Sequence, residues 1–218
     1  MIEILKTYVG SRAHGTEWSG SDYDERIVFV LPTSQIVGLG EHAKFIEDKT
    51  IDSNKWELAH FLYLGLRCNP TILEFLLTTP FETHPWGEEL LSLYPCFIRK
   101  KYVYDAFRGF AEGQRKKMMS PDTNSQRKPK SASNYLRVLY NGLELLTSGT
   151  MTIRIIDTEI GELVRRAKFG EASFEEVFAA GTKLLERLDR AYETSVLPEE
   201  PDRDTINEFL LRVRKEYW

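Results

Sequence analysis

A turn of small and basic residues, followed closely by two carboxylates, is the part of this sequence best suited to chemistry. The turn is Gly10-Ser11-Arg12-Ala13-His14-Gly15, and Asp22 and Asp24 follow it at the start of a run rich in β-branched residues. Residues two apart on a strand project to the same face, so this spacing predicts that both aspartates point together. Aligned carboxylates beside a loop rich in backbone N–H groups can hold a divalent metal ion and a polyphosphate together. The arrangement favours nucleotidyl transfer.

The same residues resemble the signature of the DNA polymerase β-like nucleotidyltransferases, in which a glycine-serine turn precedes an Asp-x-Asp strand. Within that superfamily, residues 10–15 with Ser21-Asp22-Tyr23-Asp24 most resemble the minimal predicted nucleotidyltransferases, some of which are associated with RNA repair. Two later runs are similar to motifs of that subgroup and occur in the same order: Asp52-Ser53-Asn54-Lys55-Trp56-Glu57-Leu58 and Asn69-Pro70-Thr71-Ile72-Leu73-Glu74. The resemblance covers about residues 4–80.

The resemblance implies a metal-dependent nucleotidyltransferase that moves NMP from an NTP to a hydroxyl acceptor and releases pyrophosphate. Asp22 and Asp24 are the expected ligands of Mg²⁺ or Mn²⁺, because these hard cations prefer oxygen donors. The resemblance also makes Asp52 the third carboxylate, either as a metal ligand or as the base that takes the acceptor's proton. Asp48 and Glu57 are the alternatives to Asp52, although Glu57 also fits a helix capping box.

The phosphate groups of the NTP are expected at the turn. Gly10 permits a close approach, Ser11 can donate a hydrogen bond, and Arg12 carries a planar guanidinium. Lys130 and Arg137 resemble a lysine and an arginine on the helix that follows the catalytic sheet in related enzymes, and they are further candidates for nucleotide binding. His14, Asn69 and Glu74 are expected to have structural roles.

The favoured acceptor is an RNA or other nucleic-acid end, and a protein side chain or a small molecule is the alternative. A second hypothesis is a non-catalytic nucleotide-binding or partner-binding module on the same fold, although the presence of both Asp22 and Asp24 argues against it. The basic runs 115–117 and 127–130 predict either a solvated face or a phosphate clamp on a mobile loop over residues 119–131.

Composition narrows the class of protein further. The chain has 218 residues, of which 42% are hydrophobic and 28% charged, and its net charge of −4 argues against a global basic field. Cys68 and Cys96 match no zinc or redox spacing, and no apolar stretch approaches the roughly 20 residues that span a bilayer. We therefore expect a cytoplasmic protein with no membrane partner, in the host cytoplasm if the protein is viral.

The periodicity predicts an α+β fold in which a small mixed nucleotidyltransferase sheet with helices is followed by an all-helical C-terminal part. Strands are expected at residues 3–9, 24–31 and about 49–52, and the unbroken apolar run 27–31 predicts burial on both faces of the second strand. A helix is expected from Asn54 to about Arg67, and another is expected to begin with Asn69 as its cap and Pro70 in its first turn. The expected domains are a catalytic core over residues 1–100 and a helical region over residues 101–218 that completes the cleft. Later helices are expected at 86–94, 101–118, 132–148, 157–169, 174–195 and 203–216.

Overall fold

The candidate turn and the first two candidate aspartates lie around two antiparallel strands that begin the fold. In the computed structural model, which describes residues 1–48, 50, 52–125 and 127–218, strand β1 spans Ile2–Val9 and strand β2 spans Asp24–Val30. The last four residues of β2 are fully buried, as their unbroken apolar run predicted. The pairing aligns Val9 with Asp24, so the end of β1 meets the start of β2.

Five strands form one mixed sheet within the described residues, in the order β3-β4-β2-β1-β5. The three further strands are β3 (Phe45–Asp48), β4 (Ser53–Glu57) and β5 (Pro80–Thr83). β4 runs parallel to β2, whereas β1 pairs antiparallel with β2 and β5, and β3 pairs antiparallel with β4. This mixed sheet, with most helices after it, confirms the predicted α+β class.

Eleven α-helices occur in the described part of the chain. They are α1 (Gly10–His14), α2 (Thr33–Val37), α3 (Leu58–Gly65), α4 (Pro70–Leu77), α5 (Pro85–Ser92), α6 (Tyr94–Phe97), α7 (Lys100–Met119), α8 (Arg127–Ser148), α9 (Gly161–Lys168), α10 (Phe174–Thr194) and α11 (Arg203–Glu216). None of these helices is long and apolar enough to cross a membrane.

The chain divides into two compact units. The first consists of Met1–Ala13, Glu17–Ile98 and Pro201–Trp218, and the second of His14–Thr16 and Arg99–Glu200. The expected division at residue 100 differs from these units mainly at the C-terminus, because α11 belongs to the first unit. Helix α11 buries Phe209 and Val213 there, and Arg214 donates to the buried carboxylate of Glu57 at 2.6 Å.

The segment around Asn54 is a strand and not the start of a helix, so the prediction of a helix from Asn54 was wrong. Trp56 lies within β4 and packs edge-on against Phe61 of α3 and Phe75 of α4, with ring centroids 6.5 and 6.4 Å apart. Helix α3 begins only at Leu58, where the Glu57 side chain accepts a hydrogen bond from the Ala59 N–H at 2.8 Å. Burial of the tryptophan between sheet and helices therefore outweighs the local capping pattern.

The expected strand over residues 49–52 lies partly outside the described residues, which do not include Lys49 and Ile51. The described neighbours show that β3 ends at Asp48 and β4 begins at Ser53. Asp48 accepts hydrogen bonds from the backbone N–H and the hydroxyl of Thr50, at 2.9 and 2.6 Å. These two bonds join the end of β3 to Thr50.

Helix α4 begins as the sequence predicted, with Asn69 as its N-cap and Pro70 in the first turn. The Asn69 side chain accepts a hydrogen bond from the Thr71 N–H at 3.0 Å. We expect Asn69→Ala to lower the free energy of unfolding by about 1 kcal/mol, because it removes this cap. Asn69→Asp retains an acceptor and serves as the matched control. Urea unfolding of both variants checks this, and equal stability of Asn69→Ala and the wild type would contradict it.

The second unit is built around α8, which packs against α7, α9 and α10. Its start corrects the expectation that residues 119–131 form one polar loop. Helix α7 continues to Met119 and α8 already begins at Arg127, so Lys128 and Lys130 lie on a helix. Pro129 is compatible with this position because the first turn of a helix does not need its missing N–H. Gln126 lies outside the described residues.

Candidate active site

The glycine of the turn lies directly against the first residue of β2. Gly10 has a φ of +73°, in the left-handed region that favours glycine, and this conformation turns the chain from β1 into α1. A Cβ atom added to Gly10 would lie 2.0 Å from Oδ2 of Asp24. The Asp24 carboxylate is therefore held beside the backbone of the turn, as the predicted phosphate and metal site requires.

Asp22 does not share a strand with Asp24, contrary to the expectation that both lie on β2. The strand begins at Asp24, and Asp22 is an exposed residue in the connection before it. The preceding residue is well anchored, because Ser21 donates its N–H to the Trp18 carbonyl and its hydroxyl accepts from the Trp18 N–H, both at 2.9 Å. The position of Asp22 thus depends on this turn rather than on the pleat of a strand.

Arg12 connects the glycine-serine turn to the segment that carries the aspartates. Its Nη2 donates to the Ser21 carbonyl at 2.8 Å, and its guanidinium lies 3.8 Å from the ring centroid of Tyr23. Arg12 therefore contacts both neighbours of Asp22 in the sequence, Ser21 and Tyr23. The guanidinium therefore positions the Asp22 segment, and its predicted role in phosphate binding stays a prediction. Ser11 lies half-buried in the first turn of α1.

Asp52 lies at the same end of the sheet as Asp24. The parallel pairing aligns Glu25 with Ser53, and the Glu25 N–H donates to the Asp52 carbonyl at 3.1 Å. Asp52 itself has a φ of +45° and occupies the turn before β4. The strand pairing therefore brings the neighbourhood of the third predicted carboxylate to the start of β2, where Asp24 lies.

Arg26 is a residue of this region that the sequence analysis missed. Its Nη1 donates to the Glu25 carbonyl at 2.8 Å and lies 4.0 Å from Oδ1 of Asp52. Arg26 is two residues after Asp24 on β2, so the two side chains share a face of the sheet. This spacing was the signal that could have indicated a cation beside the carboxylates.

The alternatives to Asp52 have other structural tasks. Asp48 accepts hydrogen bonds from the N–H and the hydroxyl of Thr50. Glu57 is buried at the opposite end of β4, where it caps α3 and pairs with Arg214. Neither arrangement supports a change of the predicted third carboxylate, and the role of Asp52 stays a prediction.

Buried polar atoms without hydrogen-bond partners are concentrated near these residues. Seven such side-chain atoms occur in the described part of the chain, and four belong to residues around the starts of α1, β2 and β4: Arg12 Nε, Arg26 Nε, Ser53 Oγ and Asn54 Oδ1. Buried polar groups are normally hydrogen-bonded, so a cluster of exceptions needs a physical reason. A polar ligand with several oxygen atoms could supply partners for the two arginine donors.

The carboxylates do not form a complete metal site by themselves. Among residues 1–48, 50, 52–125 and 127–218, no group of three or more His, Cys, Asp or Glu side chains could hold a metal ion. Mg²⁺ commonly keeps several waters and takes one or two carboxylates together with substrate phosphates. The oxygen donors of Asp22 and Asp24 fit this second mode, in which the NTP supplies the remaining ligands.

The two residues predicted to bind nucleotide from α8, Lys130 and Arg137, belong to the second unit, and so does His14 of the turn. Lys130 is an exposed residue in the first turn of α8, whereas Arg137 lies two turns later and is only 8% exposed. His14 is also 8% exposed, and its expected structural role stays a prediction. The predicted nucleotide binding by Lys130 and Arg137 stays a prediction.

Comparison with known families extends the resemblance beyond the first 80 residues. A family model described as RlaP, RNA repair pathway DNA polymerase beta family, matches residues 3–212. The match includes the turn, all three candidate aspartates and most of both units. No curated protein sequence matches the chain.

Proposed function

Because this chain belongs to the RNA repair pathway DNA polymerase beta family, we propose that it is a metal-dependent nucleotidyltransferase. The proposed reaction transfers NMP from an NTP to a hydroxyl group and releases pyrophosphate. The favoured acceptor is the end of an RNA strand. The observation that carries the proposal is the packing of the Asp24 carboxylate against Gly10, because it joins a metal-binding group to a phosphate-binding turn.

The turn supplies the groups that would bind the triphosphate. Ser11 lies in the first turn of α1, where its hydroxyl and the neighbouring N–H groups can donate to phosphate oxygens. The Nε atom of Arg12 is buried and lacks a partner among the described residues, so it retains a donor for the same purpose. A donated hydrogen bond from a cation to a phosphate is stronger than one between neutral groups.

The aspartates would bind the metal ion, and one of them could also accept the proton of the attacking hydroxyl. Asp22 and Asp24 would hold Mg²⁺ or Mn²⁺, which when bound neutralises charge that develops on the reacting phosphate oxygens. Asp52 would either contribute to the same site or accept the proton of the attacking hydroxyl. Arg26 would orient the Asp52 carboxylate, because its Nη1 lies 4.0 Å from Oδ1 of Asp52.

Pyrophosphate release tests this proposal directly. The purified protein is incubated with Mg²⁺, total cellular RNA and each of the four NTPs in turn. Pyrophosphate that appears only with metal and accumulates with at least one NTP supports the transferase. Binding of an NTP without pyrophosphate release under any of these conditions would instead support the non-catalytic nucleotide-binding module.

Metal binding is expected to depend on the NTP. Because the described residues offer no group of three ligands, calorimetry should show weak binding of Mn²⁺ to the protein alone. A non-hydrolysable NTP should strengthen Mn²⁺ binding by about tenfold or more, since its phosphates complete the ligand set. Asp22→Asn serves as the matched variant, in which this enhancement should disappear. Tight Mn²⁺ binding to the wild-type protein with no effect of the NTP would contradict the proposed ligand set.

A further inference from the structure

A polar cleft of the second unit has no role assigned to it beyond the predicted nucleotide binding by Lys130, which is one of its lining residues. It lies between the end of α7 and the start of α8, and its volume is about 630 Å³. This volume is within the range of ordinary ligand sites, but the side chains around it are polar and none is aromatic. The cleft therefore offers hydrogen bonds and charge, and no surface on which a base could stack.

Positive charge dominates the lining of this cleft. Lys117, Arg127 and Lys130 line it, together with a single carboxylate, Asp122. Within the described residues, none of these three cations makes an ion pair, whereas Arg165 and Arg166 of the same unit are both paired with glutamates. The cations around the cleft are thus available to an anion.

Gln114 is an independent sign that the cleft receives a ligand. Its side chain lines the cleft and is only 9% exposed. The amide makes no hydrogen bond with another described residue. Its atoms are not among the fully buried polar atoms that lack a partner, so the amide is open to the cleft. An oxygen-rich ligand in the cleft would accept a hydrogen bond from this amide.

The start of α8 also favours the binding of an anion in the cleft. Arg127, Lys128 and Lys130 lie in its first turn, which contains no acidic residue. The N-terminus of a helix carries partial positive charge, so these cations are unfavourable there unless an anion is nearby. A bound phosphate would offset both the side-chain charges and the helix dipole.

We propose that this cleft binds the phosphate groups of a single-stranded RNA acceptor. The inference rests on the proposed function, because it assigns the substrate of the same reaction to a separate site. The three cations lie on two helices, so they can contact successive phosphates of one strand. Binding through the backbone alone implies little preference for base sequence.

The test measures the affinity for a short fluorescein-labelled RNA of mixed sequence, without metal or NTP. In the cleft variant, which combines Lys117→Gln, Arg127→Gln and Lys130→Gln, we expect the dissociation constant to rise about tenfold or more at low salt. The slope of log affinity against log salt should fall by about two, since each phosphate contact on a single strand contributes about 0.7.

A matched control removes the same charge elsewhere. Lys183, Arg190 and Lys215 are exposed and make no ion pair within the described residues. Changing all three to glutamine should alter the dissociation constant by less than about threefold, because only long-range attraction is lost. If this control weakened RNA binding as much as the cleft variant, general electrostatics and not the cleft would explain the affinity, and the proposal would be overturned.

Gln114→Leu provides a second variant that keeps all charges. We expect its melting temperature to hold or rise, because no hydrogen bond to a described residue is lost, while RNA affinity falls several-fold. A lower melting temperature with unchanged RNA affinity would assign Gln114 a structural role and contradict the proposal.

Kinetics of a double variant, Lys117→Gln with Arg127→Gln, distinguish the two sources of the phosphate, because this variant keeps Lys130, the predicted nucleotide-binding residue. The proposal predicts that its KM for RNA rises and its KM for NTP stays within about twofold of the wild-type value. A raised KM for NTP with unchanged RNA affinity would show that the cleft binds free triphosphate, which overturns the RNA assignment. RNA binding is measured without turnover, so cleft-dependent binding in a protein that releases no pyrophosphate would refute the proposed function and leave this inference supported.

Discussion

Replacing Asp24 with asparagine is expected to reduce nucleotide transfer by about three powers of ten or more. Loss of a carboxylate that binds the catalytic metal removes several kcal/mol of transition-state stabilisation, and each 1.36 kcal/mol corresponds to about tenfold in rate. Asparagine keeps the shape of the side chain beside Gly10, so the melting temperature without metal should stay within a few degrees of the wild-type value. Asp22→Asn should cause a similar loss of turnover. Steady-state kinetics and thermal melting check both variants.

Glu25→Gln is the matched control for this experiment. Glu25 is the next residue on β2, also half-buried, and it projects to the opposite face of the sheet from Asp24. Its replacement removes one negative charge from the same strand, so near wild-type turnover would show that the effect is specific to Asp24. Wild-type turnover in Asp24→Asn would remove this residue from the proposed site.

Gly10→Ala is expected to reduce turnover by about a hundredfold or more and to lower stability by about 1–3 kcal/mol. The new Cβ would have to displace the Asp24 carboxylate, since it would lie 2.0 Å from Oδ2. In addition, a φ of +73° is unfavourable for alanine. Both effects act at the proposed site, so catalysis and stability should fall together.

Substitutions at two other glycines distinguish the two effects expected of Gly10→Ala, which are backbone strain and displacement of the Asp24 carboxylate. Gly149 also has a positive φ, of +77°, but an added Cβ would meet only Leu197 at 3.6 Å. Gly149→Ala should therefore lose stability through backbone strain and retain full turnover. An added Cβ at Gly109 within α7 would meet nothing within 4 Å, so Gly109→Ala should match or exceed wild-type stability. Full turnover of Gly10→Ala would contradict the contact between the turn and Asp24.

The parts of the fold that sequence reasoning could predict are those with strong local signals. The apolar run of β2 and the capped start of α4 were predicted correctly, because each depends on neighbouring residues alone. Helix α10 also begins at Phe174, as the expected range 174–195 has it, and the hydroxyl of Ser173 caps it by accepting from the Glu176 N–H at 3.2 Å. Long helices with a regular apolar stripe were likewise close to their observed bounds.

The errors arose where distant residues decide the local structure. Residues 54–57 match a capping box, yet Trp56 completes a core with α3 and α4, and Glu57 meets Arg214, which lies 157 residues further along the chain. Nothing in the local pattern specifies these partners. The same reason explains why α11 was not expected to return to the first unit.

In the candidate site, too, some features could be predicted from the sequence and others could not. The spacing from Gly10 to Asp24 indicated the turn and the carboxylate, and the structure places the two in contact. It could not show that Asp22 precedes the strand, because a strand boundary depends on pairing with β1. The nearness of Arg26 to Asp52 was equally hidden, since it results from the parallel pairing of β2 with β4.

The most direct test of the proposed function follows a radioactive phosphorus atom from an NTP to RNA in the presence of Mg²⁺. The proposed chemistry predicts that label in the α position becomes attached to the RNA and that label in the γ position leaves with pyrophosphate. It also predicts that Asp24→Asn abolishes the attachment and that Glu25→Gln does not. Attachment of γ label, or attachment of α label that persists in Asp24→Asn, would contradict nucleotidyl transfer at this site.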